Sequence, residues 1–368
     1  MKTSSLIQLM QASFFGCVLF LYSLGLEIHL YSYYSLISIA CFTGFYLFLG
    51  IKENKIYIPR GIVWYSVFMF SLSSLLFSII HADLLSSARS ILVLFSFLLC
   101  FNLIKNNIKP TKYFMIFSTL FATIAYGLHF FNGHFIFWEY QHLRNASLFF
   151  DPNYASTIFA LNAILSLCFL KNIVRRSIAT IFFLFALFFT YSKGGMLAFL
   201  LGLAIYFFLK YSYKIIIIIP LCFLFFLYIF FQGIIDLDMF RFEQGLNSRD
   251  VYLNMTVDHV FKDMNIFGSG GEKIKELIAQ QGKDNISTHN YYLDLLITNG
   301  IVPFFFLIPV IIYTIIKGLI DRNIYIPSVI SLLVSSMSIS ISIGGIGILS
   351  FLYTYFICQI LYGNKKEI

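Results

Sequence analysis

Residues 61–80 read GIVWYSVFMFSLSSLLFSII, a stretch without one charged side chain. A helix of about 20 mostly apolar residues is long enough to cross the hydrocarbon core of a bilayer. Of the chain's 368 residues, 59% are hydrophobic and only 11% are charged, whereas charged residues make up about 25% of soluble domains. The composition therefore excludes an ordinary soluble enzyme and predicts an all-α polytopic membrane protein.

Similar apolar runs recur along the chain and predict about 12 transmembrane helices within a single transmembrane domain, 1–368. The predicted spans are 6–26, 30–51, 61–80, 89–104, 113–131, 153–170, 178–192, 194–209, 215–232, 291–316, 324–342 and 346–361. The last two come from one apolar stretch that we divide at Gly344-Gly345. The first is too long for the apolar core of a signal peptide and lacks an A-x-A cleavage site, so we expect it to be retained.

Basic residues set the predicted orientation, because Lys and Arg accumulate in cytoplasmic loops. With a cytoplasmic N-terminus, most of the 25 basic residues fall inside, and the short outside loops keep only Arg89, Arg144 and Lys193. Lys365 and Lys366 also fall inside, so both termini are predicted to be cytoplasmic. Most acidic residues and all seven histidines lie on the outer side, where we expect any chemistry to take place.

One polar loop, 233–290, is much longer than the other connections, and long ordered loops in compact proteins are usually functional. Within it, Asn247 is a candidate cap for a helix over 249–264, and a second short helix is predicted over 272–281. The first helix is amphipathic and is expected to form a lid rather than a span. Its apolar face comprises Leu253, Val257, Val260, Phe261 and Met264, and its polar face comprises Arg249, Tyr252, Thr256, His259 and Asp263.

The loop returns to the membrane at Ser287-Thr288-His289-Asn290, where Thr288 is the predicted N-cap of the next span. The positive end of the helix dipole disfavours an imidazolium, so His289 would stay neutral near pH 7 and able to accept a proton. Asp294 would be costly against lipid and is expected to face the bundle interior or a wet cavity, as a second candidate base. An interfacial histidine without a chemical task is equally consistent with the position of His289.

Two cations occupy positions suited to a phosphate or diphosphate. Arg249 lies in the first turn of the predicted loop helix, where its guanidinium and the free backbone N–H groups would point the same way. Lys193 is followed by Gly194 and Gly195, which allow the turn to approach a bulky ligand. Solvation of the arginine and snorkelling of the lysine are the alternatives.

Metal and nucleotide chemistry are not indicated. The spacing of His129, His134, Glu139 and His142 matches no zinc pattern. The glycine-rich stretch 267–271 has no buried strand before it and no Gly-Lys-Ser/Thr after it, so it is not a nucleotide-binding loop. All six cysteines lie in apolar runs without a C-x-x-C spacing. We therefore predict no cofactor, no metal and no nucleic-acid partner.

Four stretches together resemble the O-antigen ligase and O-antigen polymerase (Wzy) superfamily, bacterial inner-membrane enzymes that act on lipid-linked sugars. They are 149–155 (FFDPNYA), 192–195 (SKGG), 247–271, which pairs an Arg-led helix with NIFGSGG, and 289–303. The last resembles the ligase signature of His, then Asn, Ser or Gln, nine residues, Gly, two residues, and Gly, Thr or Tyr. Two positions depart from the pattern, because Pro303 ends the signature here and Lys193 stands where the family has arginine.

The resemblance implies a GT-C-like membrane glycosyltransferase fold, a periplasmic position for the loop 233–290, and a glycan donor linked to undecaprenyl diphosphate. It also implies polysaccharide or lipopolysaccharide biosynthesis among membrane lipids of the inner membrane, with a flippase and a chain-length regulator as partners. Under this resemblance, His289 and Asp294 are the expected catalytic residues. The expected diphosphate-binding residues are Arg249, Lys193 and Arg144, and the other expected substrate contacts are Asn153, Asn290 and Tyr252.

Polymerase and ligase activities both fit this resemblance, and the departures at Pro303 and Lys193 favour the polymerase. A polymerase would transfer the growing glycan to a lipid-linked repeat unit, whereas a ligase would transfer the finished glycan to lipid A-core. A transporter would require ionisable residues paired deep within the spans, and the sequence has nearly none. A purely structural role would predict no dependence on His289.

Overall fold

The computed structural model describes residues 57–107, 111–132, 152–211, 249–262, 265–281, 288–339, 341 and 348–363. The predicted spans 6–26, 30–51 and 215–232 lie outside these residues. Twelve α-helices make up most of the described part of the chain, and a π-helical turn, Asp258–Lys262, continues the seventh. The helices are α1 (Ile62–Ile80), α2 (Leu84–Lys105), α3 (Thr111–Asn132), α4 (Pro152–Phe169), α5 (Ile173–Phe188), α6 (Lys193–Tyr211), α7 (Arg249–Val257), α8 (Gly271–Gln280), α9 (Tyr291–Asn299), α10 (Ile301–Ile320), α11 (Ile326–Ser335) and α12 (Ile348–Tyr362).

Five of the described helices are long and apolar enough to cross a membrane by length and composition. They are α1, α2 over Ser86–Lys105, α4, α6 and α10. The predicted all-α membrane character is therefore confirmed. The bounds of α1, α3, α4, α6 and α12 follow the predicted spans closely, whereas α2 begins earlier and α5 is displaced towards the N-terminus.

The predicted span 291–316 is wrong as a single helix, because Gly300 divides it into α9 and α10. Gly300 adopts φ +80°, a conformation that ends a helix and that side chains other than glycine rarely adopt. Pro303 then falls in the first turn of α10, where a backbone N–H has no partner within the helix and its loss costs little. The predicted span 324–342 is also shortened, since α11 ends at Ser335.

Helix α4 forms the centre of the bundle, and residues 155–166 are all buried. It packs against α5, α6 and α11, while α1 packs against α2 and α10, and α12 packs against α2. Small residues permit the close approach, as where Gly202 of α6 lies between Ile164 of α4 and the Pro327 carbonyl of α11.

The glycine-rich part of the long loop is joined to α9 by backbone hydrogen bonds. Ser269 N donates to Ile297 O at 2.9 Å, and Gly270 N donates to Thr298 O at 3.1 Å. Ile301 N, the first amide of α10, donates to Ile266 O at 2.9 Å. The loop therefore satisfies backbone groups that the break at Gly300 would otherwise leave without partners.

Asn299 and Asp83 attach this assembly to the bundle. Asn299 Nδ2 donates to Ser74 O at 3.2 Å and lies 3.1 Å from Ser78 Oγ, both on α1. Asp83 caps α2 by accepting from Ser86 N at 3.0 Å and from Ser86 Oγ at 2.7 Å. The same carboxylate accepts from Gly271 N, the first amide of α8, at 2.9 Å.

The pKa of Asp83 reflects these contacts. Burial of the carboxyl opposes its ionisation, but the hydrogen bonds from Ser86 and Gly271 and the charge of Arg89 outweigh this effect and lower the pKa below its ordinary value of 3.8. The ionised carboxylate therefore stabilises the fold.

We expect Gly300→Ala to lower the free energy of unfolding by at least about 1–3 kcal/mol, because alanine is strained at this φ. The added Cβ would also collide with Ile266 O and with the backbone of Phe267. Gly127→Ala is the matched control, since a Cβ at Gly127 meets no atom of the described residues within 4 Å. Thermal unfolding in detergent micelles checks both variants, and equal stability of the two would contradict the backbone contact.

We expect Asp83→Ala to destabilise the protein most strongly at neutral pH. The folded-state pKa lies below that of the unfolded chain, so the stabilisation is present above the unfolded value and is lost as the pH falls through the folded value. The difference in unfolding temperature from wild type should therefore shrink below about pH 4. Glu272→Ala, on the exposed side of α8, is the control, and a difference for Asp83→Ala that is constant with pH would oppose this account.

Candidate functional site

Two of the sequence stretches meet at the start of α6. Ser192 Oγ donates to Asn153 Oδ1 at 3.0 Å and accepts from Gly195 N at 3.4 Å, so it caps α6 and connects it to the first turn of α4. Tyr191, which precedes the cap, adopts φ +47°. Lys193 is consequently the first residue of α6 and is half-buried.

The two glycines after Lys193 permit close packing of this turn. A Cβ on Gly195 would collide with the Ser156 side chain of α4, and a Cβ on Gly194 would lie 2.7 Å from Ser338 Oγ. The sequence predicted an approach to something bulky at this turn, and the structure shows other parts of the protein against both glycines. The start of α6 therefore lies against α4 and the turn that follows α11.

The turn after α11 also holds the start of α9. Ser336 O accepts from Tyr291 N at 3.1 Å, and Ser336 Oγ hydrogen-bonds with the Tyr292 hydroxyl at 3.1 Å. Ser336 and Ser338 therefore contact the start of α9 and the start of α6, respectively. The structure brings together Asn153, Lys193 and the stretch that begins at His289 around one turn.

The cap of α9 is Asn290 and not Thr288, so the predicted N-cap is wrong by two residues. Asn290 Oδ1 accepts from Tyr292 N at 3.0 Å and from Leu293 N at 3.4 Å. His289 precedes the cap with φ +54°, and its side chain is exposed. This backbone conformation is uncommon outside glycine, although histidine is among the residues that adopt it more often.

Asp294 stabilises the turn that carries His289. Its Oδ1 accepts from Thr288 N at 3.0 Å and from Thr288 Oγ1 at 2.8 Å. The side chain is half-buried and contacts protein, in line with the cost of a carboxylate against lipid. His289 is therefore held from both sides, by the Asn290 cap and by the bonds between Asp294 and Thr288.

The spacing of the sequence signature corresponds to one short helix. The nine residues between Asn290 and Gly300 are α9, Tyr291–Asn299, with Asn290 as its N-cap and Gly300 as its C-cap. Asparagine and serine are good N-caps, and glycine is the commonest residue after a helix end. The signature thus specifies a capped helix of fixed length with His289 immediately before it.

Arg249 begins α7, and the predicted helix over 249–264 is confirmed over 249–262 with a π-helical turn at its end. Tyr252, predicted as a substrate contact, is 2% exposed and packs in a cluster with the loop and α9. The other members of that cluster are Met255, Ile274, Leu277, Ile278, Leu293 and Ile297. Tyr252 thus joins the first turn of α7 to α9. Three other residues considered in the sequence, Arg144, Asp151 and Asn247, lie outside the described residues.

Several residues at this site were not singled out by the sequence. Ser336 and Ser338 belong to the polar run 335–340, SSMSIS. This run interrupts an apolar stretch, and the interruption is the sequence feature that could have indicated their role.

His259 is buried, with Nε2 2.9 Å from Ser269 Oγ and Nδ1 3.4 Å from Asn265 Nδ2. It supports the glycine-rich segment that packs on α9.

The described residues contain no group of three or more His, Cys, Asp or Glu side chains placed to hold a metal ion. The histidines and the glutamate of 134–142 lie outside those residues, and the side chain of His129 is not described.

The fold defines a multi-pass, all-α membrane protein with a helical loop packed on a broken helix. The O-antigen ligase family matches the chain over residues 178–308, which include Lys193, Arg249, His289 and Gly300. This match confirms the resemblance of this part of the chain to the superfamily of O-antigen ligases and polymerases, whose members are membrane enzymes of glycosyltransferase type. No curated protein matches the chain.

Proposed function

We propose that the protein is a polysaccharide polymerase. It transfers a growing O-antigen or capsule glycan from undecaprenyl diphosphate to a lipid-linked repeat unit at the periplasmic face of the inner membrane. The observation that carries this proposal is the junction of Asn153, the start of α6 with Lys193, and the His289 turn around Ser336 and Ser338. Three stretches far apart in sequence meet there, and two of them lie within the region matched to the ligase family.

The proposal includes the finer architecture expected from the sequence. The chain is a single domain of about 12 spans with a GT-C-like fold, and both termini are cytoplasmic. The transfer requires neither a metal nor a nucleotide, because the energy is stored in the diphosphate linkage of the donor. A flippase supplies the repeat unit, and a chain-length regulator acts together with the protein.

Breaking the anomeric C–O bond of the donor releases a diphosphate, so negative charge grows on the leaving group. Such a site needs cations and aligned N–H groups where the charge develops. Lys193 and Arg249 are each the first residue of a helix, and the positive end of the helix dipole adds to their charge. We assign both residues, with Arg144, to the diphosphate.

The acceptor hydroxyl attacks the anomeric carbon and must lose its proton. His289 is assigned to accept that proton, because its exposed ring stands on a turn held by Asn290 and by Asp294. Asp294 acts chiefly by positioning His289 and is the second candidate base. Asn153 and Asn290 each use Oδ1 within the protein, so their contribution to substrate binding includes placing Lys193 and His289.

The second candidate function is that of an O-antigen ligase, which is favoured by the description of the matched family. The ligase would share the donor site and transfer the finished glycan to lipid A-core. Lys193 in place of arginine and Pro303 at the end of the signature favour the polymerase. Lysine keeps the charge but not the two-pronged hydrogen bonding of arginine.

A deletion strain complemented with wild type, His289→Ala, Arg249→Ala or Lys193→Ala tests the assignment by the gel pattern of surface polysaccharide. We expect the deletion to leave lipid A-core capped with one repeat unit, and none of the three variants to restore the ladder. Lys193→Arg keeps the charge and should restore it. Lys275→Ala, on the exposed side of α8, is the control and should behave as wild type.

The deletion alone distinguishes the two enzymes. Loss of every capped band, with glycan accumulating on undecaprenyl diphosphate, would identify a ligase. Full ladders from both His289→Ala and Arg249→Ala would show that the catalytic and diphosphate assignments are wrong for either enzyme.

We expect Asp294→Asn to retain activity within about tenfold of wild type, since removing a general base usually costs about 10²–10⁴ in rate. The amide keeps an oxygen that accepts from Thr288 N and Oγ1 but cannot take a proton at neutral pH. Asp294→Ala loses both bonds and should be the weaker variant. The rate of glycan transfer in reconstituted membranes measures this, and equal inactivity of the two variants would make Asp294 the base.

A further inference from the structure

Helix α7 and the π-helical turn after it expose a stripe of apolar side chains, while several residues with polar groups are buried. The buried residues with polar groups are Tyr252 (2% exposed), Thr256 (1%) and His259 (5%). The apolar stripe has three exposed residues, Leu253 (50%), Val257 (41%) and Phe261 (58%). Met255 and Val260 are buried as well, and Asn254 and Asp258 are exposed beside the stripe. Leu253, Val257 and Phe261 follow one another at a spacing of four residues, so they lie on one side of the helix.

The buried polar groups are held by hydrogen bonds within the protein. Thr256 Oγ1 donates to Tyr252 O at 2.8 Å, and His259 Nε2 lies 2.9 Å from Ser269 Oγ. Rotating α7 to bury its apolar side would break the contact of His259 with Ser269 and remove Tyr252 from its cluster with α9. The outward direction of Leu253, Val257 and Phe261 is therefore built into the packing.

The apolar surface continues onto the end of a membrane span. Phe267 is 61% exposed, and its ring centroid lies 5.4 Å from that of Phe77 on α1. Beside Phe77, α1 exposes Ile79 and Ile80, and α1 is long and apolar enough to cross a membrane. The exposed side of the loop therefore adjoins the exposed apolar side of α1.

The other helix of the same loop has the surface expected in water. The exposed side of α8 carries ion pairs between Lys273 and Glu276 at 2.6 Å and between Lys275 and Glu272 at 2.9 Å. At the end of α7, Lys262 is 71% exposed and pairs with Asp258 at 2.7 Å. An apolar surface with a cation at its edge suits the boundary between acyl chains and phosphate headgroups.

We propose that Leu253, Val257, Phe261, Ile266 and Phe267 form an interfacial surface that inserts into the membrane and contacts the acyl chains of phospholipids. The surface is continuous with the exposed apolar side of α1, and the polar residues Asn254 and Asp258 lie at its edge. Its contact with lipid keeps α7 at the level of the headgroups. Where the proposed function holds, Arg249 at the start of α7 is thereby kept at the height of a lipid diphosphate.

Single-tryptophan variants of the full chain test this surface. Trp64 and Trp138 are replaced by Phe, and Phe261→Trp or Phe267→Trp is introduced at an exposed position that tolerates a large ring. The protein is reconstituted into phosphatidylcholine vesicles with bromine on the acyl chains. Leu72→Trp, on the exposed side of α1, is the lipid-facing control, and Lys275→Trp on α8 is the water-facing control.

We expect brominated lipid to quench the Phe261→Trp and Phe267→Trp variants at least half as strongly as Leu72→Trp, and aqueous acrylamide to quench them weakly. The reverse pattern, like that of Lys275→Trp, would overturn the proposal. Relief of lipid quenching by added polyprenyl phosphate would assign the surface to a polyprenyl tail, and protection from both quenchers with cross-linking between copies would assign it to a dimer. Either result also overturns the lipid proposal. The quenching and cross-linking measurements do not depend on catalytic activity, so they test the surface separately from the proposed function.

Discussion

The backbone contact between the glycine-rich loop and the break at Gly300 is the constraint on which the rest of the site depends. A helix interrupted within an apolar run leaves N–H and C=O groups that lipid cannot satisfy. Ile266, Ser269 and Gly270 supply the missing partners through their own backbone atoms. Because such pairing requires close approach, side chains are excluded at Gly268 and Gly300, both of which adopt positive φ. The break in turn sets the length of α9 and the place of His289 at its other end.

The sequence predicted the bounds of α1, α3, α4, α6 and α12 closely, because length and hydropathy decide those helices locally. It failed at 291–316, where the run contains a helix end. Gly300 was visible as part of a signature, but its partner lies in residues 265–271, and that contact is long-range. The same limitation applies to Asp83, whose role at the start of α8 depends on a residue far along the chain.

For the candidate site, the sequence located residues that do lie at helix starts. It did not predict the tertiary contacts that hold those helix starts in place. Asn153 and Ser192 each lie in a predicted stretch, yet their hydrogen bond joins two helices and has no local signature. Ser336 and Ser338 were missed because small polar residues in an apolar run resemble ordinary packing residues. The sequence predicted an amphipathic α7, but the pattern alone does not show which residues are buried. Tyr252, Thr256 and His259 of the predicted polar face are buried together with Val260 of the predicted apolar face.

The location of the candidate residues follows a common physical rule. Lys193 and Arg249 each begin a helix, His289 directly precedes the cap of another, and Asn153 lies in the first turn of a fourth. Each of these ends has backbone N–H groups without partners inside the helix and a partial positive charge. A diphosphate that gains charge as its bond to the sugar breaks is stabilised more by such fixed dipoles than by mobile water, because they need no reorganisation.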